Sequence, residues 1–196
     1  PFLKPRESEL WSQYFSQATK YFEKSKFQQT LKLAERLIKI DKGLSAMSLE
    51  LLGRSQAALG LHNDARRSFE AASDNMILET TRPVPRMRSV VRGILKELAA
   101  SQNFDFVDLA EEFKQGTGVN TDGLFLDYCH LSADGINRAM SCIASRVGDA
   151  PTNSNITPKE LYKIAPMPAR SVRASAHLLA ALHNQDWGQP TEILNR

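Results

Sequence analysis

The chain has 196 residues, enough for one large domain or two small ones. Its residues are 42% apolar and 24% charged, the balance of a globular protein with a core rather than of a disordered chain. The net charge of +3 comes without dense Lys/Arg runs, which argues against nucleic acid as a partner, and no stretch approaches the ~18 apolar residues of a membrane span. Cys129 and Cys142 are the only cysteines, too few for a disulfide framework or a cysteine zinc site, and no Cys-x-x-Cys occurs. No basic-then-apolar signal segment opens the chain. The first residue is Pro1 rather than Met, so the chain is expected to be processed or a piece of something longer.

Residues 8 to 74 read as helices throughout. Apolar residues recur at helical spacing at Leu10, Tyr14, Ala18, Tyr21 and Phe22, then at Phe27, Leu31, Ala34, Leu37 and Ile38, with a break near Ser25 and Lys26. The design repeats with Leu49, Leu52, Gly53 and Ala57, then Ala65, Phe69 and Ala72, with a break around Gly60. The two segments are offset by about 35 residues, close to the roughly 34-residue period of tetratricopeptide repeats, which this region, residues 8–78, resembles. Small Ala and Gly positions would let paired helices approach, with Phe69 and Tyr21 filling the seam. Two repeats form a short array that needs a neighbour to cover its end.

After Asp74 the texture changes. Pro83 and Pro85 punctuate the chain, and residues 85–102 then read as a helix with Met87, Val90, Val91, Ile94, Leu95 and Leu98 on one side; Gly93 is a mild cost within it. In "NFDFVDLAEEF", Phe104, Phe106, Val107 and Leu109 make a short apolar run of strand type. Helix followed by strand suggests an α/β unit. A loop then leads to "LFLDYCHLSADGINRAM". Here Ser132 is the expected N-cap of a helix, with Asp134 in its first turn and Ile136, Ala139, Met140, Ile143 and Val147 as its apolar stripe. Residues 148–158 read as a linker rich in Pro, Asn, Thr and Ser. Residues 159–196 form a helical C-terminal extension, with a short helix around Lys159 to Ile164 and a longer one around Ala169 to Asn184.

The residues that carry chemistry are Asp127 and His130. A general base needs an imidazole near neutrality and a partner that fixes its tautomer, and a carboxylate on one ring nitrogen leaves the other free to take a proton. Three residues apart, in a loop anchored by the following helix, both side chains reach the same point.

Helix, a strand ending in Val-Asp-Leu, loop, Asp-x-x-His-Leu-Ser-x-x-Gly and a last helix together resemble the C-terminal end of the SGNH (GDSL) hydrolases. These are ester hydrolases on a flavodoxin-like α/β/α fold. On this resemblance, "DFVDL" at 105–109 is the last core strand, His130 is the catalytic base, Asp127 orients it, and Leu131, Ser132 and Gly135 are the trailing residues. Some members carry tetratricopeptide-like helices inserted before that strand, as residues 8–78 would be. The implied fold class is mostly α with an α/β remnant: helical repeats, then the last helix-strand-loop-helix unit of the SGNH fold over residues 84–147.

The resemblance also requires a nucleophile in a Gly-Asp-Ser block, with oxyanion donors in the blocks that follow, and this chain has none. Gly148-Asp149-Ala150 has Ala where Ser is required and follows a helix; Gly53-Arg54-Ser55 lies within a repeat helix, where no elbow exposes the hydroxyl. Cys129, beside His130 on a loop read as extended, is expected to point elsewhere. A base alone accelerates little, and a lone strand makes no sheet. The chain is therefore expected to be inactive alone and to be the C-terminal part of a serine ester hydrolase. Its partner would be a missing N-terminal segment or chain, and its substrate a small ester.

No cofactor is expected, and no metal: His62, His177 and His183 are scattered and have no carboxylates at ligand spacing. Trp11 is expected to cover the end of the repeats, and Trp187 to anchor the tail. The alternative reading is a non-catalytic repeat module that binds a protein or peptide, built on a degenerate hydrolase scaffold.

Overall fold

The computed structural model describes residues 3–76, 87–114, 123–127, 129–152 and 156–186. Among these the protein is helical, with nine helices and one isolated antiparallel bridge, Phe125 to Leu131. The chain divides into two compact units, Pro1–Leu98 and Ala99–Arg196.

The first unit begins with four helices: α1 (Pro5–Glu23), α2 (Phe27–Asp41), α3 (Ala46–Ala58) and α4 (His62–Asn75). Pro5 opens α1 at a position where a missing N–H costs nothing, and Glu7 accepts the backbone N–H of Lys4 at 3.0 Å. Each turn contains a residue in the left-handed region: Ser25 (φ 55°), Lys42 and Gly43 (φ 57° and 71°), and Gly60 (φ 77°). These turns are short, so successive helices fold back on one another as hairpins.

Small residues set the packing. Ala18, Ala34 and Ala65 are fully buried, and Leu33, Leu37 and Leu51 join Ala18 in the core, flanked by Trp11, Tyr14, Phe15, Tyr21 and Phe22. A Cβ on Gly53 would stand 2.9 Å from the Phe69 ring, so glycine is what lets α3 and α4 close. The expected breaks near Ser25 and Gly60 and the seam role of Phe69 are thus seen in the helices themselves.

Within this hairpin array lies a polar knot. Asp41, 2% exposed, ends α2. Its Oδ2 accepts from Trp11 Nε1 at 2.8 Å and from Ser48 Oγ at 2.6 Å, and its Oδ1 accepts from the Gly43 N–H at 2.9 Å. Trp11 also stacks on Phe15, with ring centroids 4.9 Å apart. Burial of a carboxylate is tolerable here because three donors converge on it.

The division between units falls within α5 (Ser89–Ser101). Asp74 Oδ1 accepts the Ser89 N–H at 2.9 Å, and Arg92 pairs with Glu70 at 3.3 Å. Val90, Val91, Ile94, Leu95 and Leu98 are exposed on α5.

The second unit holds α6 (Leu109–Lys114), α7 (Ala133–Thr152), α8 (Pro158–Ile164) and α9 (Arg170–Asp186). Its small core is Phe113, Leu124 and Ala139, with Leu109 and Leu131 against them. Two expectations are corrected. Among the described residues the run Phe104 to Asp108 pairs with no strand, and Leu109 belongs to a helix. Asp108 is the cap of α6, its Oδ1 accepting the Glu111 N–H at 3.1 Å. Without a paired strand the α/β remnant is absent among the described residues, because an apolar run becomes a strand only when a neighbour takes its N–H and C=O groups. In addition, residues 148–152, expected in a linker, continue α7. Thr157 caps α8, accepting the Glu160 N–H at 3.3 Å. Pro83, Pro85 and Trp187 lie outside the described residues.

Candidate functional site

The site is built on a tight loop leading into α7. The bridge is made by Leu126 N–H to His130 O at 2.8 Å and Ser132 N–H to Leu124 O at 2.9 Å. Ser132 performs the cap role expected of it: its Oγ accepts the Gly135 N–H at 3.1 Å and donates to Gly123 O. Gly135 has a steric reason to be glycine, since a Cβ there would collide with the Leu124 carbonyl. Asn184, 2% exposed, donates to Leu126 O at 3.5 Å, fastening the end of α9 to the loop.

Within that frame Asp127 and His130 come together as expected. Asp127 Oδ1 accepts the backbone N–H groups of Cys129 at 2.9 Å and His130 at 2.7 Å. Its Oδ2 lies 2.6 Å from His130 Nδ1. One carboxylate thus shapes the turn with one oxygen and holds the ring with the other. The Asp127 side chain is 3% exposed and that of His130 65%.

Burial by itself raises the Asp127 pKa. The two backbone N–H bonds, the ring bond and the His130 charge outweigh it and bring the pKa down from 3.8 to about 2. Asp127 is therefore ionised throughout the neutral range and acts only as an acceptor. It fixes the proton on Nδ1, which directs the Nε2 lone pair away from the loop. A ring held this way, mostly in solvent, is able to accept a proton from a nucleophile brought to it.

The structure differs from expectation at Cys129. Its Sγ lies 3.5 Å from His130 Nδ1 and does not point away, because the loop is a turn closed by Asp127 and not an extended segment. His183 is also nearby, its ring edge-on to His130 with centroids 6.4 Å apart. Sequence spacing gave no sign of this, since the two histidines are brought together only by the seating of α9. His62 opens α4, and His177 lies within α9.

Among the described residues no serine completes the pair. Ser132 spends its hydroxyl on Gly123 O and the Gly135 N–H, and Ser55 is buried in α3 with its Oγ donating to Leu51 O at 2.7 Å. Among the described residues no serine hydroxyl is bonded to His130.

A separate cavity of about 560 Å³ opens between α7 and α8, with Arg138, Cys142, Lys159 and Tyr162 on its walls. Burial, followed by the nearby Glu112 carboxylate, pushes the Cys142 thiol pKa up, which makes it a poor nucleophile. No helix among the described residues is long and apolar enough to cross a membrane.

No protein family, curated protein or solved structure matches this chain.

Proposed function

We propose that this chain supplies the general-base pair of a serine ester hydrolase of SGNH type, with His130 as the base and Asp127 as the residue that orients it. The nucleophilic serine and the oxyanion donors come from outside these 196 residues. One observation carries the reading: Asp127 Oδ2 lies 2.6 Å from His130 Nδ1 while Oδ1 is held by two backbone N–H groups. A carboxylate fixed at one end and bonded to a ring nitrogen at the other is how a histidine base is kept in its working tautomer.

The steps follow from that arrangement. His130 Nε2 takes the proton from the serine hydroxyl as the hydroxyl attacks the ester carbonyl, and Asp127 stabilises the imidazolium that forms. His130 then returns the proton to the leaving alcohol. In the second half it deprotonates the water that cleaves the acyl-enzyme. The exposed apolar side chains of α5, and Ile136, Met140 and Val147 on α7, are compatible with the same reading, because the sheet of an SGNH fold would cover such faces.

The reading is tested by treating the natural protein with a fluorophosphonate probe. A single adduct is expected on a serine outside residues 1–196, lost in His130→Ala. Labelling that persists in His130→Ala removes His130 from the reaction. The alternative, a repeat module that binds a protein or peptide, draws on the exposed Leu10, Leu44, Met47 and Leu61 of the repeat region. It becomes the better reading if no serine is labelled.

A further inference from the structure

The geometry points to a binding site for a soft divalent cation, with Zn²⁺ the fitting ion, formed by Cys129 Sγ, His130 Nδ1, Asp127 Oδ2 and the ring of His183.

The donor set is the first reason. Thiolate, imidazole and carboxylate are the three ligand types of zinc, and a thiolate beside imidazoles selects against Mg²⁺ and Ca²⁺. Cys129, His130 and Asp127 each place a ligand atom within 4.8 Å of the others. Both cysteines are outside disulfides, and Cys129 is the exposed one.

Distances are the second. Zn–S of about 2.3 Å and Zn–N of about 2.0–2.1 Å at a tetrahedral angle put the sulfur and nitrogen about 3.5 Å apart. Cys129 Sγ and His130 Nδ1 are 3.5 Å apart. The same geometry sets a carboxylate oxygen about 3.3 Å from the nitrogen. Asp127 Oδ2 stands at 2.6 Å, the hydrogen-bonded distance, so it must retreat by a fraction of an ångström as the cation replaces the proton between them. Asp127 Oδ1, bonded to two N–H groups of the loop, keeps the carboxylate aimed while that happens.

His183 completes the set. Two imidazoles on one zinc have ring centroids about 5 Å apart, and the rings of His130 and His183 are at 6.4 Å. Both side chains are exposed and able to close the difference by small χ rotations, while Asn184, bonded to Leu126 O, holds the end of α9 in place. An open approach gives the ion its entry.

Binding moves protons in a defined way. The Cys129 thiol loses its proton to solvent, and the Nδ1 proton of His130 gives way to the metal while Nε2 becomes the protonated nitrogen. A ring in that state is unable to accept a proton at Nε2. Insofar as the base role proposed above holds, the cation would switch the base off; the binding itself does not depend on that role.

The test is a titration of the protein with Co²⁺ as spectroscopic probe, displaced by Zn²⁺. We expect one Co²⁺ per chain with a thiolate-to-cobalt charge-transfer band, abolished in Cys129→Ser and kept in Cys142→Ser. His183→Ala should weaken binding at least about tenfold. No band with the unmodified protein, a band that survives Cys129→Ser, or an affinity untouched by His183→Ala overturns the site. The titration needs neither substrate nor nucleophile. Failure of the cation site therefore leaves the fluorophosphonate result standing, and failure of labelling leaves the titration standing.

Discussion

Trp11 Nε1 donates to Asp41 Oδ2 at 2.8 Å, joining the second turn of α1 to the last residue of α2. From the sequence, Trp11 is expected to cover the end of the repeats; in the structure its indole N–H helps to satisfy a buried carboxylate. Asp41→Ala leaves Ser48 Oγ and the Gly43 N–H without their acceptor and leaves Trp11 Nε1 only its 3.1 Å bond to Ser48 Oγ, and bonds to charged groups are worth about 1.5–3 kcal/mol each. We predict a loss of at least ~2 kcal/mol in urea unfolding for Asp41→Ala, and a smaller loss for Trp11→Phe, which removes one donor of three.

Two glycines predict opposite signs for the same substitution. Gly53→Ala places a methyl 2.9 Å from the Phe69 ring, so the gain in helix propensity is outweighed by overpacking of about 1–3 kcal/mol. Gly93→Ala meets nothing within 4 Å in the middle of α5 and should stabilise by about 0.5–1 kcal/mol. Thermal melts of the two variants check both: one Tm falls and the other rises.

Gly135 anchors the site loop. Gly135→Ala drives a methyl into the Leu124 carbonyl, which also accepts the Ser132 N–H. The strand-like closure of the loop should open, at a cost upward of ~2 kcal/mol. The low-field proton signal of His130 Nδ1–H, bonded to Asp127, should vanish from the NMR spectrum along with it.

A pH prediction comes from the cap of α8. Bonds from the Thr157 backbone N–H and hydroxyl hold the Glu160 pKa below its ordinary 4.5. A carboxylate whose folded pKa is depressed contributes stability above its ordinary pKa, and that contribution is lost as pH falls through the lower folded value. The carboxyl carbon of Glu160 should therefore titrate with a midpoint below 4.5, and Thr157→Ala should move the midpoint upward. An identical midpoint in the two proteins would contradict the capping geometry.

The first four helices could be read from sequence because their information is local. Apolar spacing marks the buried face, and Ala18, Ala65 and Gly53 sit where small residues let neighbours approach. The pair of Asp127 and His130 was legible for the same reason, since three residues of one loop hold it. Where the chain was misread, the deciding partner is distant or missing. Phe104 to Leu109 has the pattern of a strand, but a strand needs a neighbour that none of the described residues supplies; Asp108 followed by Glu111 and Glu112 is the helix-start signal that outweighs it. The Asp41 knot joins Trp11 and Ser48 from other helices, and His183 reaches His130 only through the seating of α9.

The proposed role of His130, held by Asp127, as the base of an ester hydrolase is checked most directly by turnover of p-nitrophenyl acetate by the natural protein that contains these residues. We predict that His130→Ala lowers kcat by about 10³-fold or more and that Asp127→Asn, which leaves the ring in place with the wrong tautomer, lowers it by up to about 10⁴-fold. Ester turnover unchanged in His130→Ala would remove His130 from the reaction.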